Sequence, residues 1–131
     1  MFTLHTDGGS RGNPGPSAIG CVLFSGETLV ASVSERVPNT TNNVAEYQGL
    51  LRGLKLAREH SAAIVAVNMD SELIIKQLRG EYRVKAEHLL PYFTEVQRFL
   101  HGFERVSFTH VPREHPKQAM ADALVNKALD A

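Results

Sequence analysis

Polar and apolar residues alternate along the first third of the chain, a pattern typical of half-buried β-strands. A first strand is predicted from Phe2 to Asp7, which closes it. Two more segments rich in β-branched residues, 17–24 and 28–37, are separated by a Ser-Gly-Glu tripeptide that suits a hairpin connection. These three segments are therefore predicted to form an antiparallel meander.

The period of the pattern changes to that of a helix at Asn43, and helical spacing of leucines continues to about His60. The later predicted elements are a strand at 64–69, a short helix between Ser71 and Gly80, a helix at 88–100, a strand at 106–111 and a C-terminal helix after Pro116. Strands connected through helices pair in parallel. The order of elements therefore predicts an α/β fold with one mixed sheet and helices packed on it.

The chain has 131 residues, the size of one ordinary domain, and we expect a single domain over residues 1–131. Its 14 basic and 14 acidic side chains cancel, so a nucleic-acid partner would have to be held by a local group of residues. The one cysteine, Cys21, lies in an apolar run and is expected to be a core residue of a reduced, cytoplasmic protein. No stretch approaches the roughly 20 apolar residues of a membrane span, so we expect no membrane partner.

Four acidic residues fall on four separate predicted elements. Asp7 and Asp70 each end a strand, and the carboxyl ends of neighbouring parallel strands meet at one edge of a sheet. Glu46 lies in the first turn of the long helix, and Asp122 lies beside the apolar stripe of the last helix. Oxygen ligands of this kind suit Mg²⁺ or Mn²⁺ rather than zinc. The four acids therefore predict a divalent-metal site.

Each acid alone also has a purely structural interpretation. Asp7 could form a turn before the following glycine, and Glu46 could complete a capping box begun by Asn43. Asp70 could favour the start of the next helix, and Asp122 could face solvent. Purely structural roles for all four acids at once are disfavoured, because four close carboxylates without a cation would raise one another's pKa values.

Four segments carry these acids in order along essentially the whole chain: "HTDGGSRGNPGP", "TTNNVAEYQGLLRGL", "MDSELIIKQLRGEYRVK" and "HVPREHPKQAMADALVNKAL". The set closely resembles type 1 ribonuclease H, in the form that lacks a basic protrusion. The resemblance implies a ribonuclease H-like fold, which is a five-stranded mixed sheet of order 3-2-1-4-5 with helices on both faces. It also implies metal-dependent hydrolysis of the RNA strand of RNA/DNA hybrids.

The resemblance maps the acidic quartet of the family onto Asp7, Glu46, Asp70 and Asp122. In the mechanism that it implies, these acids hold two Mg²⁺ ions, with Mn²⁺ as a substitute, and cleavage leaves 5′-phosphate and 3′-hydroxyl ends. Asp7 is expected to bridge both ions. Glu46 and Asp70 would complete one side of the site, and Asp122 would complete the other.

A mobile histidine or arginine before the last helix assists proton transfer or product departure in enzymes of this family. His115 is expected to take this role here, with His110 and Arg113 as alternatives. An ordinary histidine pKa near ~6.5 suits either task. His5 lies on the same strand face as Asp7 and is expected to pack beside the site rather than bind metal.

Telling RNA from DNA requires contact with the 2′-hydroxyl, which an A-like duplex exposes in its minor groove. The resemblance assigns RNA-strand contacts to Glu46 and to a further set of residues: Gly8, Gly9, Ser10, Asn42 and Glu72, the last standing where some relatives have glutamine. It assigns DNA-strand contacts to Asn13, Thr41 and Asn43. The "TTNN" segment is equally consistent with a polar turn and an N-cap.

The region between the middle helices, Gly80 to Pro91, is short, and its only arginine and lysine are Arg83 and Lys85. We therefore expect weaker and more salt-sensitive binding of hybrid than in relatives with a basic protrusion. Double-stranded RNA is a further candidate substrate, and the protein is expected to be a monomer.

Two other functions remain open on the sequence. An actin-like sugar kinase or ATPase also carries an acid and a glycine-rich loop after its first strand, but it needs two domains and 131 residues supply one. A hybrid-binding module without catalysis would not need four intact acids. Magnesium-dependent cutting of a labelled hybrid distinguishes these functions from that of a nuclease.

Overall fold

The five strands lie in one sheet in the computed structural model, which describes residues 1–131. The strands are β1 (Phe2–Ser10), β2 (Gly15–Ser25), β3 (Thr28–Thr40), β4 (Ile64–Met69) and β5 (Arg105–His110). Their order is β3-β2-β1-β4-β5; β2 pairs antiparallel with both β1 and β3, and β4 pairs parallel with both β1 and β5. The predicted mixed sheet of order 3-2-1-4-5 is confirmed.

The helices are α1 (Asn42–Glu59), α2 (Glu72–Leu78), α3 (Leu90–Leu100) and α4 (Pro116–Asp130). All four predicted helices are present. A single 3₁₀ turn at Glu87–Leu89 precedes α3, so the helix predicted over 88–100 becomes an α-helix only at Leu90. Pro91 lies in the first turn of α3, where its missing N–H needs no partner.

Side-chain caps determine where α1 and α2 begin. The Thr41 hydroxyl accepts a hydrogen bond from the Val44 backbone N–H (3.4 Å), and Ser71, the predicted cap of α2, accepts one from Ile74 (3.3 Å). Because Thr41 rather than Asn43 caps α1, Glu46 does not lie in the first turn of that helix. The capping-box interpretation of Glu46 is therefore wrong, and its carboxylate is free for another contact.

The first strand is longer than predicted. Asp7 does not close it, because antiparallel pairing with β2 continues through Gly8, Gly9 and Ser10. The glycines are compatible with this extended backbone, and at Gly8 a glycine is required, since a Cβ atom would overlap the Ala45 carbonyl of α1. The interpretation of Asp7 as a turn residue is therefore wrong.

Helices cover both faces of the sheet, as predicted. Adjacent residues of a strand point to opposite faces. Gly8 faces α1, whereas a Cβ on Gly9 would contact Val125 of α4 at 3.3 Å. The largest core cluster contains 21 buried residues and includes Leu50 and Leu54 of α1. A second cluster, beside α4, has only three buried members: Ala18, Val125 and Ala128.

Cys21 is a core residue, as predicted: it is fully buried, and its thiol donates to the Gly49 carbonyl at 3.3 Å. None of the helices combines the length and the apolar character needed to cross a bilayer.

Candidate active site

Three carboxylates converge at one edge of the sheet: Asp7 in β1, Glu46 in α1 and Asp70 directly after β4. One carboxylate oxygen of each lies within 4.8 Å of the other two. The parallel pairing of β1 with β4 ends two residues before each aspartate, so both project beyond the paired region. Gly49 allows α1 to approach so closely that a Cβ there would overlap the Asp7 carbonyl, which brings Glu46 to the same point.

The three carboxylates are held in a partly dehydrated environment. Burial, followed by repulsion from Asp70 and Glu46, raises the pKa of Asp7 from 3.8 to about 8. Burial and Asp70 likewise raise the pKa of Glu46 from 4.5 to about 7. A hydrogen bond from the Gly8 backbone N–H to Asp7 Oδ1 (2.9 Å) opposes the shift at Asp7. A bound cation would favour the charged form of each group, as a metal site requires.

The fourth acid faces this group across a cleft of about 350 Å³. Asp122 of α4 lines the cleft together with Asp7 and Glu46, although it is not one of the three acids that lie within 4.8 Å of one another. Its charge adds to the repulsion that raises the pKa of Asp7. Three of the predicted acids, Asp7, Glu46 and Asp122, thus line one cleft, and Asp70 adjoins it through its closeness to Asp7 and Glu46.

The donors of this cluster fit a hard divalent cation. Each of the three clustered residues offers a carboxylate oxygen, and neither histidine nor cysteine belongs to the group. Magnesium and manganese prefer such oxygen ligands, while zinc sites are dominated by nitrogen and sulfur.

Arg113, rather than His115, lies in the cleft. Arg113 Nε is 3.5 Å from Asp70 Oδ2, and its side chain is 74% exposed, so it can also reach a bound substrate. The charge of Asp70, followed by that of Asp122, raises the pKa of the Arg113 guanidinium. His110, the other alternative, ends β5 and does not line the cleft.

His115 lies directly before α4, as expected, with its ring held by contacts within the protein, and its catalytic role stays a prediction. His115 is the N-cap of α4, and its Nδ1 accepts a hydrogen bond from the Lys117 backbone N–H at 3.2 Å. Its ring stacks on that of His5, with 5.0 Å between ring centroids. His5 is 1% exposed, and burial lowers its pKa to about 4, so it is a neutral packed residue, as predicted.

A chain of hydrogen bonds fixes the loop beside the cleft. Asn13 Oδ1 accepts from the Asn42 backbone N–H (3.0 Å), and Asn42 Oδ1 accepts from the Ser10 backbone N–H (2.8 Å). Both asparagine side chains therefore use their oxygen internally, and neither amide NH₂ group has a partner within the protein. The structure thus leaves two donors at the rim of the cleft, which Gly8, Gly9, Ser10 and Asn42 help to line.

The remaining predicted contact residues lie elsewhere. Asn43 lines a separate groove of about 490 Å³, beside Tyr82, Arg83 and Lys85. Glu72 lies on the surface at the start of α2, where Lys76 Nζ is 2.9 Å from its carboxylate. Thr41 is the cap of α1. The predicted contacts therefore form two groups, one at the acid cleft and one around the groove and α2.

Two polar residues that line the cleft did not stand out in the sequence, namely Arg11 and Asn126. Asn126 follows Asp122 by one helical turn, so helical spacing from the fourth acid could have identified it. Arg11 could not be identified in this way, because its position depends on the loop after β1 and on its ion pair with Asp130.

The chain matches the family model described as reverse transcriptase-like over residues 5–128. It is 40% identical over 130 residues to the bifunctional protein Rv2228c of Mycobacterium tuberculosis, covering 98% of this chain and 35% of that protein. It is 41% identical over 127 residues to ribonuclease HI of Halobacterium salinarum, covering 96% of this chain and 63% of that protein. The chain therefore spans about a third of the mycobacterial relative and less than two thirds of the halobacterial one.

Comparison with solved structures also finds ribonucleases H1. The RNase H1 of Halobacterium salinarum superimposes with a TM-score of 0.93 at 38% identity, covering 98% of this chain and 97% of that one. LC11-RNase H1, solved in complex with an RNA/DNA hybrid, also has a TM-score of 0.93, at 39% identity and with 99% and 97% coverage. The chain belongs to this reverse transcriptase-like family, within its type 1 ribonuclease H group.

Proposed function

We propose that this chain is a divalent-metal-dependent endonuclease that hydrolyses the RNA strand of RNA/DNA hybrids and leaves 5′-phosphate and 3′-hydroxyl ends. The observation that carries the proposal is the group of three carboxylates within 4.8 Å of one another, on a fold shared with ribonuclease H1 structures. LC11-RNase H1, whose structure matches 99% of this chain, was solved with a bound RNA/DNA hybrid, and this supports the choice of substrate.

The four acids would hold two Mg²⁺ ions, with Mn²⁺ as a substitute. Asp7 belongs to the cluster with Glu46 and Asp70, and unlike Glu46 its pKa is also raised by the charge of Asp122, which supports Asp7 as the residue that would bind both ions. When bound, such ions polarise a phosphodiester and lower the pKa of a water molecule. Asp7 and Glu46 must lose their protons for this, because their raised pKa values keep part of each protonated near neutrality.

Arg113 is the residue that we assign to the scissile phosphate and the departing product. Its guanidinium is always charged and presents several donors in a plane that matches a phosphate group. Its exposed side chain pairs only loosely with Asp70, at 3.5 Å, so it can exchange that partner for the substrate. An arginine does not donate a proton at neutral pH, and this role is therefore one of charge stabilisation.

We assign the substrate contacts to the residues at the acid cleft and to those around the separate groove. At the cleft, the backbone of Gly8, Gly9 and Ser10 and the free amide group of Asn42 would approach the RNA strand and its 2′-hydroxyls. Asn13 and Thr41 would contact a phosphate of the DNA strand. Asn43 would contact the same strand from the groove, where Arg83 and Lys85 supply positive charge.

The decisive experiment compares substrates and metals. The chain is incubated with end-labelled RNA/DNA hybrid, double-stranded RNA or single-stranded RNA, each with Mg²⁺, Mn²⁺ or a chelator. We expect cleavage of the hybrid with either metal and none with chelator, and we expect product ends that a ligase can rejoin without prior treatment by a kinase, because they carry a 5′-phosphate and a 3′-hydroxyl. Hybrid that stays intact with both metals would show that the proposed function is wrong.

Substitution of Arg113 tests the second part of the proposal. We expect R113A to lower kcat on hybrid by about a hundredfold, the lower end of the effect of losing one preorganised transition-state donor. R113K keeps the charge without the planar donors and should lie between R113A and the wild type. If H115A lowers kcat more than R113A does, the histidine carries the role instead.

A further inference from the structure

A buried polar group lies between β1 and α4, behind the acid cleft. His5, Thr6 and Gln118 are all at most 1% exposed. The Gln118 side-chain amide donates from Nε2 to the Thr6 carbonyl at 2.9 Å and accepts at Oε1 from His5 Nδ1 at 3.1 Å. Gln118 is therefore a fully satisfied amide whose two hydrogen bonds both cross from the helix to the strand.

The positions of these bonds relate them to the acids. Thr6 directly precedes Asp7 in β1, and Gln118 precedes Asp122 by four residues, so it lies one turn earlier on the same side of α4. The Gln118–Thr6 bond thus joins the backbone that carries one proposed ligand to the helix that carries another. His115 adds to this link, because it caps α4 and stacks on His5.

Apolar packing holds α4 with smaller side chains than it uses at α1: the buried apolar residues of α4 are Ala121, Val125 and Ala128. The core cluster beside α4 has three buried members, against 21 in the main cluster. A buried amide is costly unless both of its ends are paired, so an apolar side chain would suffice if packing were its only role. A directional contact, by contrast, fixes where the helix sits along the strand.

We propose that Gln118 is a positioning residue: its bond to the Thr6 carbonyl sets the separation of Asp7 and Asp122, and thereby the affinity for the divalent ion that these two carboxylates share. This inference rests on the proposed two-metal function. The inference predicts that loss of this hydrogen bond lowers the affinity for the ion on the Asp122 side. The cluster of Asp7, Glu46 and Asp70 should still bind the other ion.

The test is a titration with Mg²⁺ alone, in the absence of nucleic acid, followed by the chemical shifts of backbone amides, because a diamagnetic ion shifts mainly the amides beside it. In the wild type we expect the amide resonances of Asp122 and Ser71 to shift, since each lies at one side of the site. In Q118M, which keeps the length of the side chain without its amide, the Mg²⁺ concentration that half-saturates the shift of Asp122 should rise at least fivefold. That for Ser71 should change less than twofold.

Three further variants control this result. H5F removes the second bond of Gln118 but keeps the bond to Thr6, and it should stay close to the wild type. Q118N is too short to reach the Thr6 carbonyl and should behave like Q118M, which keeps the test available if Q118M does not fold. Q77M removes another buried glutamine, one bonded to Tyr47 away from α4, and should leave the titration unchanged.

Cleavage kinetics provide a second readout. In Q118M the Mg²⁺ concentration for half-maximal cleavage should rise at least fivefold, while KM for hybrid at saturating Mg²⁺ stays the same. Q118M and Q118N variants that are folded and titrate as the wild type would overturn the positioning role alone. A wild type in which Mg²⁺ shifts neither Asp122 nor Ser71 would instead overturn the metal site and this inference together.

Discussion

The two faces of the sheet are held in different ways. On the α1 face the chain buries much of a 21-residue apolar cluster, whereas α4 itself buries only small or medium apolar side chains, Ala121, Val125 and Ala128, together with a hydrogen-bonded polar group built on Gln118. Apolar burial stabilises in proportion to area and has no direction, while a buried hydrogen bond contributes little net energy but fixes geometry. The α1 face therefore accounts for most of the stability, and the α4 face determines where Asp122 lies.

Asp7 lies where the two faces meet, and its substitution has the largest expected effect. We expect Asp7→Asn to lower the Mg²⁺-dependent cleavage rate by at least about a thousandfold, because it removes the ligand shared by both proposed ions. Initial rates on labelled hybrid measure this. The circular dichroism spectrum should not change, since asparagine has the same shape. A residual rate above about one per cent of the wild type would contradict the bridging role.

The neighbouring glycines of β1 give a matched pair, one on each face. We expect Gly8→Ala to cost about 3 kcal/mol, because its Cβ would overlap the Ala45 carbonyl and displace the α1 backbone. Gly9→Ala should cost less than about 1 kcal/mol, since its Cβ meets only the end of the Val125 side chain at 3.3 Å. Urea denaturation gives both free energies of unfolding. Equal losses in the free energy of unfolding would show that the two faces of the sheet resist an added Cβ atom equally.

A third prediction concerns pH. The pKa of Asp7 is raised in the folded state from 3.8 to about 8, so the folded state binds a proton that the unfolded state has lost. The stability due to this proton is fully present below pH 3.8 and is lost as the pH rises through about 8. In chelator, the free energy of unfolding of Asp7→Asn relative to the wild type should therefore increase by at least about 1 kcal/mol between pH 5 and pH 8.

Urea denaturation at several pH values measures this difference directly. Saturating Mg²⁺ should abolish the change of this difference with pH, because the cation stabilises the charged form of Asp7, which repulsion from the neighbouring acids otherwise destabilises. A difference that stays constant with pH would mean that Asp7 is ionised throughout the range. In that case burial beside α1 would not remove enough water from the Asp7 carboxylate to raise its pKa.

Much of the fold could be predicted from the sequence, because periodicity reports which face of each element is buried. The helices and the position of β4 directly before Asp70 are of this kind, whereas the strand order came from the resemblance to type 1 ribonuclease H. The extent of β1 was not predictable from local rules, since Gly8 and Gly9 favour a turn in isolation and are held in the strand by β2 and α1. Tertiary packing overrides the local preference there.

The capping role of His115 could not be predicted for a related reason, and its catalytic role stays a prediction. A histidine before a proline and a helix can be a loop residue or a cap, and only its ring's contact with His5, 110 residues earlier in the chain, separates the two. Gln118 shows the same limit, because nothing in its neighbourhood along the chain reveals a partner at Thr6. Both residues belong to the α4 face, where polar contacts distant in sequence add to a periodic apolar stripe.

Glu72 gives the smallest expected effect and serves as a reference for both faces. It lies on neither of them, and its recorded partner is Lys76, at 2.9 Å on the surface of α2. We expect Glu72→Gln to leave the urea midpoint unchanged, because an exposed ion pair contributes little. KM for hybrid should fall by less than about threefold with kcat constant, since a negative charge near phosphates is removed and such surface charges are screened.

Steady-state kinetics at two salt concentrations distinguish this effect from a change in the fold. The decrease in KM should be larger at low salt, because screening then weakens. Glu72→Gln removes no buried contact, so any change in KM reports on the substrate alone, whereas a substitution on the α1 or α4 face alters substrate binding and the position of the acids together. A lower kcat in this variant would therefore mean that α2 transmits its position to Asp70, and that the acid cluster depends on a third layer besides the two faces.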